Sequence, residues 1–88
     1  MLDVEYAPRF IREYNELEMQ LREEVKEKIA LFKNPKNHRQ LQSHPLKGRM
    51  MGQWSFSVNY RYRIIFKYIG KRKDHVALLN IGDHTIYD

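Results

Sequence analysis

Apolar positions change period along the chain, and each change marks an element. Leu2, Val4 and Tyr6 alternate with Asp3 and Glu5, a period of two that predicts a short, half-buried strand. Pro8 ends it and suits the first turn of a helix. Phe10, Tyr14, Leu17 and Leu21 then recur at helical spacing with charged residues between them, and a second stripe runs through Leu21, Val25, Ile29 and Phe32. No glycine or proline separates the stripes. The pattern predicts two helices meeting near residues 18–21, with one long helix as the alternative. Asn34 before Pro35 stops the helical run, because the residue before proline disfavours the α region. Residues 34–46 read as a polar connection with one helical turn around residues 39–42.

Period two returns in the second half. Trp54, Phe56 and Val58 alternate with Ser55 and Ser57; Tyr62, Ile64, Phe66 and Tyr68 alternate with Arg61, Arg63, Ile65 and Lys67. A three-residue loop of Asn59, Tyr60 and Arg61 sets Val58 opposite Tyr62 and Phe56 opposite Ile64, keeping the apolar faces together. A two-residue loop would mix them. In the preferred register Arg63 faces outward opposite Ser57, and Asn59 tolerates the left-handed conformation such a loop can need. Residues 70–74 form a charged hairpin tip. The mostly apolar run from Val76 to Ile81 predicts a more central strand, ended by Gly82. The order is β-α-α-β-β-β. This is an α+β fold, with two N-terminal helices packed on one face of a small, mainly antiparallel sheet.

Composition narrows the class. Eighty-eight residues suffice for one domain, 1–88, with a thin core. At 42% hydrophobic residues the chain is too apolar for disorder, despite 31% charged residues. There is no cysteine, which excludes a disulfide scaffold and thiolate metal sites. Acids at Asp3 and Glu5, with no apolar stretch after them, argue against a secretory signal, and no run is long enough to span a membrane. A cytoplasmic protein is the default expectation. Residues 1–34 carry six Lys/Arg and eight Asp/Glu, a balance of −2; residues 35–88 carry ten and three, a balance of +7. That asymmetry points to an anionic partner for the second part, most commonly a nucleic acid. A merely solubilising surface is the competing reading.

RNA can be cut without a metal when the ribose 2′-OH attacks its own phosphate. The step needs a base, an acid and cations to meet the developing charge. Histidine suits the first two roles, since imidazole titrates near neutrality, and arginine suits the third. The sequence offers His44 before the sheet, His84 after the last strand, and Arg63 with Arg61 between them. Lys47 and Arg49 stand at the entry to the second strand. His44 can equally be a loop residue, His84 a solvated one and Arg63 a solvated outward side chain; His38 and His75 read as surface residues. Tyr60 and Tyr87 are the aromatics free to stack on a base. His38 and His44 lack a neighbouring acid and a metal-ligand pattern, and no serine-hydrolase elbow, phosphate loop or dinucleotide fingerprint is present. No cofactor or metal is expected.

These residues carry a family resemblance. The element order, the stretch from His44 through Pro45, Leu46 and Lys47 to Gly48, the segment Trp54 to Val58 followed by Tyr62 to Phe66, and the ending Leu78 to His84 resemble the RelE/ParE toxin superfamily, nearest to RelE-like and YafQ-like members. The resemblance implies a microbial-ribonuclease-like fold. It implies the toxin of a type II toxin–antitoxin pair, a ribosome-dependent mRNA endonuclease. Its partners would be mRNA in the ribosomal A site, 16S rRNA and a cognate antitoxin covering the basic face. By position it implies catalytic roles for His84 and His44, phosphate contact or site support from Arg63, and base stacking by Tyr87. Where YafQ-like members carry an acid before the third strand's apolar run, this chain has Arg61. A ParE-like gyrase poison and a non-catalytic basic binding module are the alternatives.

Overall fold

The computed structural model describes residues 1–83 and residue 85. The chain forms β1 (Asp3–Tyr6), α1 (Pro8–Asn15), α2 (Met19–Phe32), β2 (His44–Pro45), β3 (Trp54–Ser57), β4 (Tyr62–Tyr68) and β5 (His75–Asp83). Short 3₁₀ turns at Pro35–Asn37 and Gly48–Met50 flank β2. Pro8 is the first residue of α1, where its missing N–H is no loss. After Asn15 the N–H groups of Glu16 and Leu17 fold back onto the carbonyls of Glu13 and Tyr14, so the helices part at residues 16–18, slightly earlier than predicted. The turn predicted around residues 39–42 is present, with the Leu41 N–H on the Asn37 carbonyl at 3.1 Å and the Gln42 N–H on the Arg39 carbonyl at 3.0 Å, and a 3₁₀ turn at Pro35–Asn37 precedes it, where the Asn34 side chain accepts the Lys36 N–H at 3.1 Å.

The sheet order is β1-β5-β4-β3-β2, with β1 parallel to β5 and the other pairs antiparallel. The last strand is thus interior, as its apolar run predicts. The hairpin register is also as read: Phe56 faces Ile64, Ser57 faces Arg63, and the Val58 N–H reaches the Tyr62 carbonyl at 3.0 Å. β2 is an addition to the predicted order, a two-residue strand pairing His44 with Ser55 and Pro45 with Trp54.

Phe10, Val25, Ile29 and Phe32 of the helices meet Phe56, Ile64, Phe66, Val76, Leu78 and Ile81 of the sheet in one core. Phe32 is its centre, stacked on Phe56 at 4.1 Å and edge-on to Phe66 at 4.7 Å. A bulge makes the β5 contribution possible. Ile65 pairs with Asn80 but Phe66 with Leu78, so Leu79 is the extra residue and both Ile81 and Leu78 point into the core. Where β1 ends, α1 takes over the edge of β5: Glu13 accepts the Ile81 N–H at 3.0 Å and is held by Arg9 at 3.1 Å. The far face departs from strict alternation of burial and exposure, since Ser55 and Ile65 on it are fully buried.

Candidate nucleic-acid interface

His44 owes its place to a clamp around residue 42. The Ser57 N–H binds the Leu41 carbonyl at 2.8 Å, drawing the segment before β2 along the edge of β3. Gln42 sits at φ +58°, uncommon for a residue with a side chain and often a mark of a functional turn. Its side-chain oxygen accepts the Ser57 hydroxyl at 2.9 Å, and its backbone carbonyl meets His44 Nδ1 at 2.8 Å. A carbonyl can only accept, so Nδ1 carries the proton. In the neutral ring Nε2 is then the lone-pair nitrogen, on an exposed side chain at the sheet edge.

The β3–β4 loop is built around two side chains. Asn59 Oδ1 accepts the N–H groups of Arg61 and Tyr62 at 2.9 and 2.8 Å, while its amide donates to Glu24 of α2 at 2.7 Å. Asn59 therefore acts through its side chain rather than by a left-handed backbone. Arg63 Nη1 donates to the carbonyls of Asn59, Tyr60 and Tyr62 at 2.6, 3.2 and 3.0 Å. The arginine expected to meet phosphate is thus engaged in holding the loop, with Nε and Nη2 unpartnered among the described residues. Arg61 lies exposed, its guanidinium 5.6 Å from the Tyr62 ring centre and 4.0 Å from Asp83.

The sheet divides the predicted cations between its two ends. Ser57, Arg63, the 59–61 loop and Asp83 share one end, since Arg63 pairs with Gly82 and Tyr62 with Asp83. Lys47 and Arg49 lie beyond the other, on the loop that the Leu46 N–H closes onto the Gln53 carbonyl at 2.8 Å. At that end Lys73 folds over Trp54 and Tyr68, its ammonium 5.4 and 5.6 Å from the ring centres. Burial pushes the Tyr68 hydroxyl above its ordinary pKa. His44 stands between the ends. His84 and Tyr87 lie outside the described residues. Among those described, no group of three or more acids and histidines could hold a metal, and no helix is long and apolar enough to cross a membrane.

Three residues have roles their sequence positions did not suggest. Gln42 and Asn59 organise the interface, and only Asn59 carried a hint, as a turn-favouring residue. His38 is a structural residue rather than a surface one, stacked on Phe32 at 4.5 Å with Nε2 2.8 Å from the Phe32 carbonyl.

No known family profile matches the chain, and no curated protein matches it in sequence. Solved structures do match in shape. The crystal structure of YafQ from E. coli strain BL21(DE3) superposes with a TM-score of 0.76 at 17% identity, covering 98% of this chain and 97% of that one. The toxin–antitoxin complex RelBE2 from Mycobacterium tuberculosis gives 0.70 at 15%, covering 94% and 98%. The YoeB–YefM complex from Staphylococcus aureus gives 0.70 at 14%, covering 96% and 98%. Two helices over a five-stranded mixed sheet, matched nearly end to end by these structures, give this chain the fold of the RelE/ParE toxins.

Proposed function

We propose that this protein is the toxin of a toxin–antitoxin pair and cuts mRNA on the ribosome without a metal. The observation that carries the reading is the tethered His44. Its Nδ1–H is held by the Gln42 carbonyl, so Nε2 is available as a base at the exposed edge of a basic sheet. In the proposed reaction Nε2 takes the proton of a ribose 2′-OH. The 2′-oxygen bonds to phosphorus, the bond to the 5′-oxygen breaks, and a 2′,3′-cyclic phosphate remains. His84 supplies the proton to the departing 5′-oxygen. Arg61 and Lys47 attract the backbone, while Arg63 positions the loop that presents Arg61. The neighbours solved as RelBE and YoeB–YefM complexes support an antitoxin partner, and the +7 balance of residues 35–88 favours an acidic one.

The test is induced expression of wild type, His44→Ala and His84→Ala, followed by primer extension on cellular mRNA. Wild type should give cuts within translated codons, and each variant should lose about 10²–10⁴-fold of the cleavage rate, the usual worth of a general acid or base. Growth arrest with DNA damage and no cuts would replace this reading with that of a gyrase poison.

A further inference from the structure

Beside the β3–β4 loop lies an open hollow of about 570 Å³ between that loop and the start of α2. Its walls divide by chemistry. The α2 side brings the carboxylates of Glu18 and Glu24 and the amide of Gln20, and the loop side brings Tyr60 and Arg61. Tyr60 is 96% exposed, unusual for so large a ring, and among the described residues no hydrogen bond, ring or cation engages its side chain. Yet the backbone beneath it is among the most constrained in the molecule. Asn59 and Arg63 bind the carbonyl or N–H of every residue from 59 to 62. An exposed aromatic on an ordered backbone has only its own two side-chain torsions to fix on binding, which makes it an efficient contact.

We infer that this hollow is a nucleobase subsite, in which Tyr60 stacks on one base of a single-stranded RNA and the α2 wall reads that base's edge. The inference rests on the RNA-cutting reading above for the class of its ligand. Glu18 and Glu24 repel a phosphate, so the base enters and the backbone stays outside, on the side of Arg61. The two carboxylates can only accept, and so take hydrogen bonds from exocyclic amino groups, as cytosine N4 provides, while the Gln20 amide can serve either base. Uracil presents a carbonyl at the same position and meets the carboxylate oxygens with repulsion. The subsite therefore favours cytidine over uridine.

The experiment is fluorescence anisotropy of the full chain with labelled short oligo(C) and oligo(U) ribonucleotides, for wild type, Tyr60→Phe and Tyr60→Leu. Wild type should prefer oligo(C) several-fold. Tyr60→Leu should weaken oligo(C) binding about tenfold, as loss of one stacked base does, and Tyr60→Phe should keep it. Thermal unfolding of Tyr60→Leu, followed by circular dichroism, should match wild type because the ring touches no core. Equal affinity of wild type and Tyr60→Leu for oligo(C) would overturn the subsite and assign the ring to a protein partner. Equal or tighter binding of oligo(U) would overturn the edge reading. Failure of wild type to bind either would overturn the subsite, while the cleavage reading would stand or fall on primer extension.

Discussion

The β3–β4 and β4–β5 hairpins are both cationic at the tip, but they are built in opposite ways. In the β3–β4 hairpin the backbone is fixed by side chains, Asn59 from within and Arg63 from the following strand, and Tyr60 and Arg61 are left pointing to solvent. In the β4–β5 hairpin the backbone turns through Gly70 at φ +77° and Lys73 at φ +57°, and Lys73 folds inward onto Trp54 and Tyr68. The first orders its backbone and leaves its side chains exposed. The second draws a charge back to cover an aromatic edge. Counting cations does not separate them, whereas the direction of their hydrogen bonds and ring contacts does.

That contrast can be broken by mutation. The largest effect should come from Asn59→Ala, which strips the acceptor from two N–H groups and the donor from Glu24. We expect a loss of about 1–3 kcal/mol in urea unfolding. Lys71→Ala and Arg72→Ala at the other tip should stay within about 0.5 kcal/mol, and equal losses at the two tips would erase the distinction. Lys73→Ala should cost less than Asn59→Ala, about 0.5–1 kcal/mol for an exposed cation over rings, with a change in the near-ultraviolet dichroism of Trp54. The smallest effect concerns Tyr68. Burial raises its pKa above 10.0 in the folded state, so the stability linked to its proton is intact below that pH and is lost as pH rises through the raised value. Tyr68→Phe should therefore move the alkaline unfolding midpoint slightly upward, as read by far-ultraviolet dichroism.

What could be read in advance follows from how burial writes itself into sequence. The register of Phe56 with Ile64 was legible because only one loop length keeps two apolar faces together. The interior place of β5 was legible from its unbroken apolar run, although that run owes its irregular phase to the bulge at Leu79. β2 was not legible, since two residues, one a proline, carry no period; its pairing depends on Leu41 and Ser57, distant in sequence. His44 and Arg63 were singled out by residue type and resemblance. The Gln42 tether and the loop carbonyls that engage Arg63 are tertiary facts that no local pattern encodes. His38 was misread as a surface residue because nothing local reveals that Phe32 lies against its ring.

The strand order has a consequence for how the molecule comes into being. Among the described residues β1 pairs with β5 alone, so Asp3 must wait for His75 before it has a strand neighbour. A nascent chain carrying β1, both helices and the β3–β4 hairpin still lacks the strand that joins them. Such long-range closure is slow, because chain entropy must be lost before the contact can reward it. The core under Phe32 is therefore complete only when β5 joins the strands on either side of it.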